Sequence, residues 1–351
     1  MASFRKTTLR DVAQRAGVST TTVSEYLSGR PYACSMETAS RIQKAVEDLH
    51  YIPNALGASL RKSATRTIGL SLLFPLSGNV RQSGFLLRLW EGITQEAFQE
   101  QHSVLFYEDS IRMDVENYRT FLDGRVDGVV FQPIARDHRP RRLAEAGLPV
   151  ATISTFAEVY PGCINVISDE REIVGLVMEH LWQLGHRRIA HFAGPISAEN
   201  EAGTPVAAAR CAAYRAFCEE RGIYDPALVF ESDLWRVSEF TIIDRWYNMP
   251  NRPTAIFCVT DAMAVEILAH ARSLGWRVPQ ELSVVGVDNT LFGELHHPAL
   301  TSVEYPVEEQ GRVAIRSLMA RIQGKPAPLE TVWIRGAELV VRETTAPPPG
   351  D

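Results

Sequence analysis

Apolar residues recur every three or four positions from residue 9 to residue 49, and the interruptions fall where short helices end. Val12, Ala13, Ala16, Val18, Val23 and Leu27 can face one small core, which predicts two brief helices hinged at Gly17. Thr8 followed by Asp11 has the form of a capping box, Gly17 suits a left-handed C-cap, and Ser19 can cap the next helix. The second helix then turns Thr20, Thr21, Thr22, Ser24 and Glu25 outward. A third helix opened by Ser35 would close the core with Ala39, Ile42, Ala45, Val46 and Leu49. Beyond Arg66 the period changes. Apolar strand candidates at 68–74, 104–107, 128–132, 149–154, 164–167, 189–192, 255–259 and 283–287 are mostly separated by helical patterns, notably at 85–100, 170–184, 206–221, 261–274 and 307–322. Alternation of this kind predicts parallel sheets covered by helices, with ligand groups at the carboxyl ends of strands. At 351 residues there is room for two such sheets.

Two short helices around a glycine, the second rich in small hydroxyl side chains, have the pattern of a helix-turn-helix, and such a polar face suits DNA. A helical hairpin in some other small domain is the alternative for the bare pattern. Charge sharpens the choice. The chain carries a net −6, but residues 1–62 hold nine Lys and Arg against five acids, so this head is +4 and the remainder −10. Attraction for phosphates is therefore concentrated at the N-terminus and predicts salt-dependent binding. Five cysteines without a Cys-x-x-Cys pair read as reduced thiols, and no signal-like or membrane-spanning apolar run occurs, so a cytoplasmic protein is expected. Nucleophile-elbow, phosphate-loop and His-Glu-x-x-His motifs are missing from the sequence; no enzyme activity, cofactor or metal is expected. His186 and His191 read as packing or capping residues.

The segments TLRDVAQRAGVSTTTVSEYLSG, YIPNALGASLR and TRTIGL, in this order and spacing, resemble the lactose-repressor (LacI/GalR) family of bacterial transcription regulators. The resemblance implies an all-α helix-turn-helix head (1–52), a hinge (53–65), and an α/β two-lobed periplasmic-binding-protein-like effector domain (66–345), while the proline-rich composition of 346–351 reads as a disordered tail. The chain would cross between lobes near 163, 290 and 323, so that 66–163 and 291–322 form the N-lobe and 164–290 and 323–345 the C-lobe. It also implies a repressor whose affinity for palindromic operator DNA is modulated by a small polar effector, a sugar or related polyol on family precedent, and which acts as a homodimer. The rival is a solute-binding protein of a transport system, which would need an export signal and have no use for residues 1–62.

By the same resemblance Thr20 and Thr21 occupy base-reading positions, and Glu25 stands where many relatives carry arginine. The alternative for Glu25 is a solvated side chain or a salt bridge to Arg15 or Arg30. Thr22, Ser24 and Asn54 are the expected phosphate contacts, Thr8 and Ser19 flank the same surface, and Leu60 matches a leucine that wedges into the minor groove. Gly57-Ala58 departs from the common Ala-Arg of this hinge. In the effector domain Asp288 matches a carboxylate that accepts from ligand hydroxyls or amines, and Arg210 an arginine that forks onto ligand oxygens, unless the two form a salt bridge across the lobes. Phe85 and Trp235 are candidate walls. Ser154 and Thr260 replace polar residues common in relatives, and Asp261 is read first as the N-cap of the helix it precedes.

Overall fold

The computed structural model describes residues 7–28, 34–52, 64–72, 84–107, 115–133, 137–153, 160–194, 196, 205–231, 241–328 and 331–350. The chain divides into two compact units, Met1–Thr65 and Arg66–Asp351.

The first unit contains α1 (Leu9–Ala16), α2 (Thr20–Leu27) and α3 (Met36–Asp48). Thr8 and Asp11 form the reciprocal capping box, and Gly17 ends α1 at φ +63°, a conformation in which a side chain is strained. Ser19 caps α2 and Ser35 caps α3, each accepting from the backbone N–H three residues on. Val12, Ala13, Ala16, Val23, Ile42, Ala45 and Tyr51 are buried in one core. Arg15 reaches Asp48 at 3.0 Å, tying α1 to α3.

The second unit has two six-stranded sheets. The first sheet runs in the order β11, β5, β4, β3, β1, β2 and comprises β1 (Thr67–Ser71), β2 (Ser103–Phe106), β3 (Gly128–Phe131), β4 (Val150–Ile153), β5 (Ile164–Ser168) and β11 (Val332–Ile334), all parallel. In the second, β6 (Ile189–Phe192), β7 (Val229–Phe230), β8 (Ala255–Cys258), β9 (Ser283–Val287), β10 (Thr301–Glu304) and β12 (Glu338–Val340) take the order β12, β10, β9, β8, β6, β7, with only the β10–β12 pair antiparallel. The helices are α4 (Gly84–Gln99), α5 (Arg139–Glu145), α6 (Glu170–Gln183), α7 (Pro205–Glu220), α8 (Thr241–Tyr247), α9 (Asp261–Ser273), α10 (Leu291–Leu295) and α11 (Val307–Ile322). No helix among the described residues is long and apolar enough to cross a membrane.

All three crossings lie later than the sequence predicts. Residues 164–168 pair with β4 in the first sheet, so the chain leaves it after Ser168 rather than near 163. Strand β10 pairs with β9 in the second sheet, which moves the next crossing from 290 to the stretch between Glu304 and Val307. β11 pairs with β5 and β12 with β10, placing the last crossing between Ile334 and Glu338 instead of at 323. The cause is common to all three. A strand of three to five residues is too short for its own pattern to say which sheet it belongs to, and only its non-local neighbour decides which sheet it joins.

Helix α11 packs along α4 in the first lobe, and two glycines permit the approach. A Cβ on Gly92 would lie 2.0 Å from the Glu308 carbonyl oxygen, and one on Gly311 2.8 Å from that of Leu89. The expected disordered tail is ordered through residue 350. Ala346 donates from its N–H to the Ser283 hydroxyl, while its carbonyl accepts from Ser283 and lies 2.9 Å from His186 Nε2. Composition suggested disorder, but these buried polar groups at the start of β9 hold the backbone.

Candidate functional site

Two separate sets of polar side chains stand out. In the first unit they are exposed. Ser19, Thr20 and Thr21 form the first turn of α2 and face solvent, whereas Thr22, Ser24 and Glu25 are half-buried. Among the described residues no hydrogen bond holds the Thr20 or Thr21 side chain, so both hydroxyls are available to an incoming partner. The hydroxyls of Ser19, Thr22 and Thr8 are engaged. Ser19 Oγ accepts from the Thr22 N–H at 3.1 Å and lies 2.9 Å from Thr22 Oγ1. Thr8 Oγ1 donates to Asp11 at 2.7 Å. Of the two partners considered for Glu25, Arg15 is held by Asp48 and Arg30 lies outside the described residues. Asn54 and Leu60 also lie outside them.

In the second unit the polar set is buried, at the carboxyl ends of β8 and β9. Arg210 projects from α7 and is 2% exposed. Its Nε donates to Glu170 at 2.7 Å and its Nη1 to the Val259 carbonyl at 2.5 Å, with the Tyr305 ring 5.7 Å from its guanidinium carbon. Burial alone would lower the Arg210 pKa, but the Glu170 carboxylate, with Tyr305 and Asp288 adding to it, holds it above the ordinary value. The salt bridge considered between Arg210 and Asp288 is therefore replaced by a pair to Glu170, at the head of α6. Asp288 follows β9 at φ +112° and accepts from the Tyr305 hydroxyl at 3.2 Å. Burial pushes its carboxyl up to about 7, against the pull of Arg210.

Thr260, not Asp261, caps α9, accepting from the Met263 N–H at 3.4 Å. Asp261 is instead fully buried. It accepts from Thr290 N–H at 2.6 Å, the Thr290 hydroxyl at 3.0 Å and Ser302 at 2.5 Å, and burial raises it to about 6. A Cβ on Gly286 would meet this carboxylate at 2.2 Å, so the β9 glycine leaves room for it. Phe85, on the first turn of α4, is half-buried against the apolar core. Ser154 and Trp235 lie outside the described residues.

The neighbouring histidines are structural. His191 stacks between Phe257 and Tyr214 at centroid distances of 4.4 and 4.9 Å, and burial drives its pKa down to about 3. His186 lies at hydrogen-bond distance from Thr254, Ser283 and the Ala346 carbonyl, and burial lowers it to about 4.

Sequence reasoning missed Glu170, Tyr305 and Arg88. Arg88 on α4 reaches Glu308 at 2.6 Å, the Tyr305 carbonyl at 3.2 Å, Glu304 at 3.3 Å and the Asp288 carbonyl at 3.2 Å. It thus joins a first-lobe helix to the end of β9 in the second lobe. Its only sequence signal was a lone cation on a largely apolar helix, which ordinarily marks a solvated face. A groove of about 260 Å³ lined by Leu268, Arg272 and Trp276 lies toward the opposite end of α9 and contains none of the strand-end residues.

The description "Bacterial regulatory proteins, lacI family" matches residues 8–54, and "Periplasmic binding protein-like domain" matches 178–345. The chain belongs to the LacI family of bacterial regulatory proteins. It is accordingly a DNA-binding transcriptional regulator, with the family's helical head and two-sheet α/β domain. Among its relatives, the HTH-type transcriptional repressor PurR of Aliivibrio salmonicida (strain LFI1238) is 28% identical over 329 residues, covering 91% of this chain and 93% of that protein. The lac repressor dimer bound to operator and the anti-inducer ONPF is 26% identical with a TM-score of 0.82, over 97% of this chain and all of that one. A complex of the transcriptional regulator CelR with cellobiose is 27% identical, with the same coverage and a TM-score of 0.69.

Proposed function

We propose that this family member is a cytoplasmic, homodimeric repressor that reads a palindromic operator with α2 and releases or tightens its grip when a small polar effector, a sugar or related polyol, binds at the β8–β9 strand ends. The observation that carries this reading is the pairing of an exposed first turn on α2 with a separate two-lobed unit that holds a convergent polar cluster. Thr20 and Thr21 are the base-reading candidates, with Ser19, Thr22, Ser24 and Asn54 at phosphates and Leu60 as the minor-groove wedge. Asp288, Arg210 and Thr260 are the effector candidates, with Phe85, Ser154 and Trp235 around them. A solved relative is a dimer on its operator. Here Leu87 and Phe98 on α4, and Leu291, Phe292 and Leu295 on α10, remain exposed in the single chain and would be covered by a second copy.

Switching follows from the lobe contacts. Arg88 bonds the Asp288 carbonyl from the first lobe, so a ligand seated on Asp288 changes the relative stability of two lobe arrangements. The same helix carries Leu87 and Phe98, and would pass the change to the dimer. A chain beginning at Arg66 tests the division of labour. It should stay folded and bind effector, as read by thermal shift, while losing all operator binding in a mobility-shift titration. Sequence-specific DNA binding by that shortened chain defeats the reading.

A further inference from the structure

The charge of the strand-end cluster restricts what can bind there. A guanidinium recognises a carboxylate or phosphate best through two parallel N–H donors, either along its Nε edge or along its Nη1–Nη2 end. In this protein Arg210 Nε is committed to Glu170 at 2.7 Å and Nη1 to the Val259 carbonyl at 2.5 Å. The Nε edge is therefore no longer whole, and Nη1 has already spent one of its two N–H groups, so few donors remain for a forked contact with an anion. Glu170 also cancels the charge. Its side chain is 14% exposed and Arg210's 2%, so solvent screens the pair weakly. Among the described residues, the carboxyl groups beyond Glu170 at these strand ends are Asp288, 6% exposed and bonded to Tyr305, and behind it Asp261, fully buried and surrounded by Thr290 and Ser302, while the nearby His191 is held neutral by burial. Among the described residues Arg210 thus shares the strand ends with three carboxyl groups, and Arg88, which reaches the Asp288 carbonyl, is itself paired with Glu308 and Glu304.

We infer that Glu170 sets the charge class of the ligand, reserving this site for molecules without net negative charge that donate hydroxyl or amine hydrogen bonds. A sugar acid or sugar phosphate would need Arg210 released from Glu170, leaving the latter's carboxylate beside the incoming anion. A neutral polyol or an amine-bearing congener needs no such release and finds acceptors on Glu170 and Asp288. The inference rests on the effector reading of the site and adds the ligand's charge to it.

The test uses inorganic phosphate as the probe, with the full chain and thermal shift at matched ionic strength. In the unaltered chain millimolar phosphate should give no stabilisation beyond that of chloride. Glu170→Gln removes the cancelling charge, leaving only a weaker neutral acceptor for Nε, and should bind phosphate at least about tenfold more tightly than the unaltered chain. Because this variant leaves Arg210 buried beside an uncharged amide, the double variant Glu170→Gln/Arg210→Gln serves as its folded comparison and should show no phosphate response. A phosphate response in the unaltered chain that Arg210→Gln removes overturns the inference. So does a response in Glu170→Gln that persists in the double variant, or equal insensitivity of Glu170→Gln and the unaltered chain. If Glu170→Gln gains phosphate binding through Arg210 but saturation leaves operator affinity unchanged, the charge assignment stands and the effector reading of the site falls.

Discussion

The two recognition surfaces of this protein solve the same problem in opposite ways. On α2 the base-reading candidates Thr20 and Thr21 are exposed and make no side-chain hydrogen bond among the described residues, so they stay solvated until a partner arrives. At the β8–β9 strand ends the polar candidates among the described residues are already bonded: Arg210 to Glu170 and Val259, Asp288 to Tyr305, Thr260 to the α9 backbone. An exposed contact exchanges water for ligand and can be removed without harming the fold. A buried one is part of the fold before it binds anything, because an unpaired polar group in the interior costs far more than a bonded one contributes. Reading and sensing should therefore fail differently when mutated.

The largest expected effect is on Arg210. Arg210→Ala leaves the Glu170 carboxylate nearly buried without its partner and removes the donor to Val259, a situation that typically costs about 3–5 kcal/mol. Denaturant unfolding of the Arg66–Asp351 unit measures this directly. A loss under about 1 kcal/mol would mean that Glu170 rehydrates freely and that the strand-end cluster resembles the α2 surface after all.

Much of the architecture was legible because helices longer than three turns declare their period. The expected helix at 307–322 coincides with α11, and those at 85–100, 170–184, 206–221 and 261–274 are shifted by a single residue or end one residue early. The capping residues Thr8, Ser19 and Ser35 were readable for the same local reason. What escaped was non-local. Strands β10, β11 and β12 are three or four residues long and gain their identity from partners far along the chain. Glu170 sits 40 residues from Arg210, and a glutamate in the first turn of a helix reads as ordinary dipole compensation. Asp261 was hidden by Thr260, since either residue could cap α9 and only burial distinguishes them.

A smaller effect concerns pH, and again separates the two surfaces. Burial raises the Asp288 carboxyl to about 7, so near neutrality it is divided between protonated and ionised forms. An effector hydroxyl that donates to it bonds the ionised form more strongly, because protonation removes the charge and turns one oxygen into a donor. Affinity for a neutral effector should therefore fall as pH drops through about 7, by at most tenfold per pH unit below it, with Asp288→Asn weak and flat across the same range. Isothermal titration between pH 6 and pH 8 measures the slope. A flat profile in the unaltered chain would show that Asp288 does not accept from the ligand.

The smallest expected effect is the one that isolates reading from folding. Thr20→Ala and Thr21→Ala each remove a solvent-exposed hydroxyl that makes no hydrogen bond among the described residues, so the stability of Met1–Thr65 should change by less than about 0.5 kcal/mol. If the hydroxyl meets a base edge, operator affinity should fall by about 1 kcal/mol, roughly fivefold, because the base is left without its partner. The loss should be confined to operators that keep the contacted base pair, whereas a phosphate contact would weaken every sequence alike and reduce the salt slope by about one. Thr22→Ala is the internal control. Its hydroxyl lies 2.9 Å from Ser19 Oγ at the start of α2, so it should lower stability along with affinity. If Thr20→Ala and Thr21→Ala lower stability as much as Thr22→Ala does, the first turn of α2 is built like the strand-end cluster, and the contrast between an open reading surface and a bonded sensing site no longer holds.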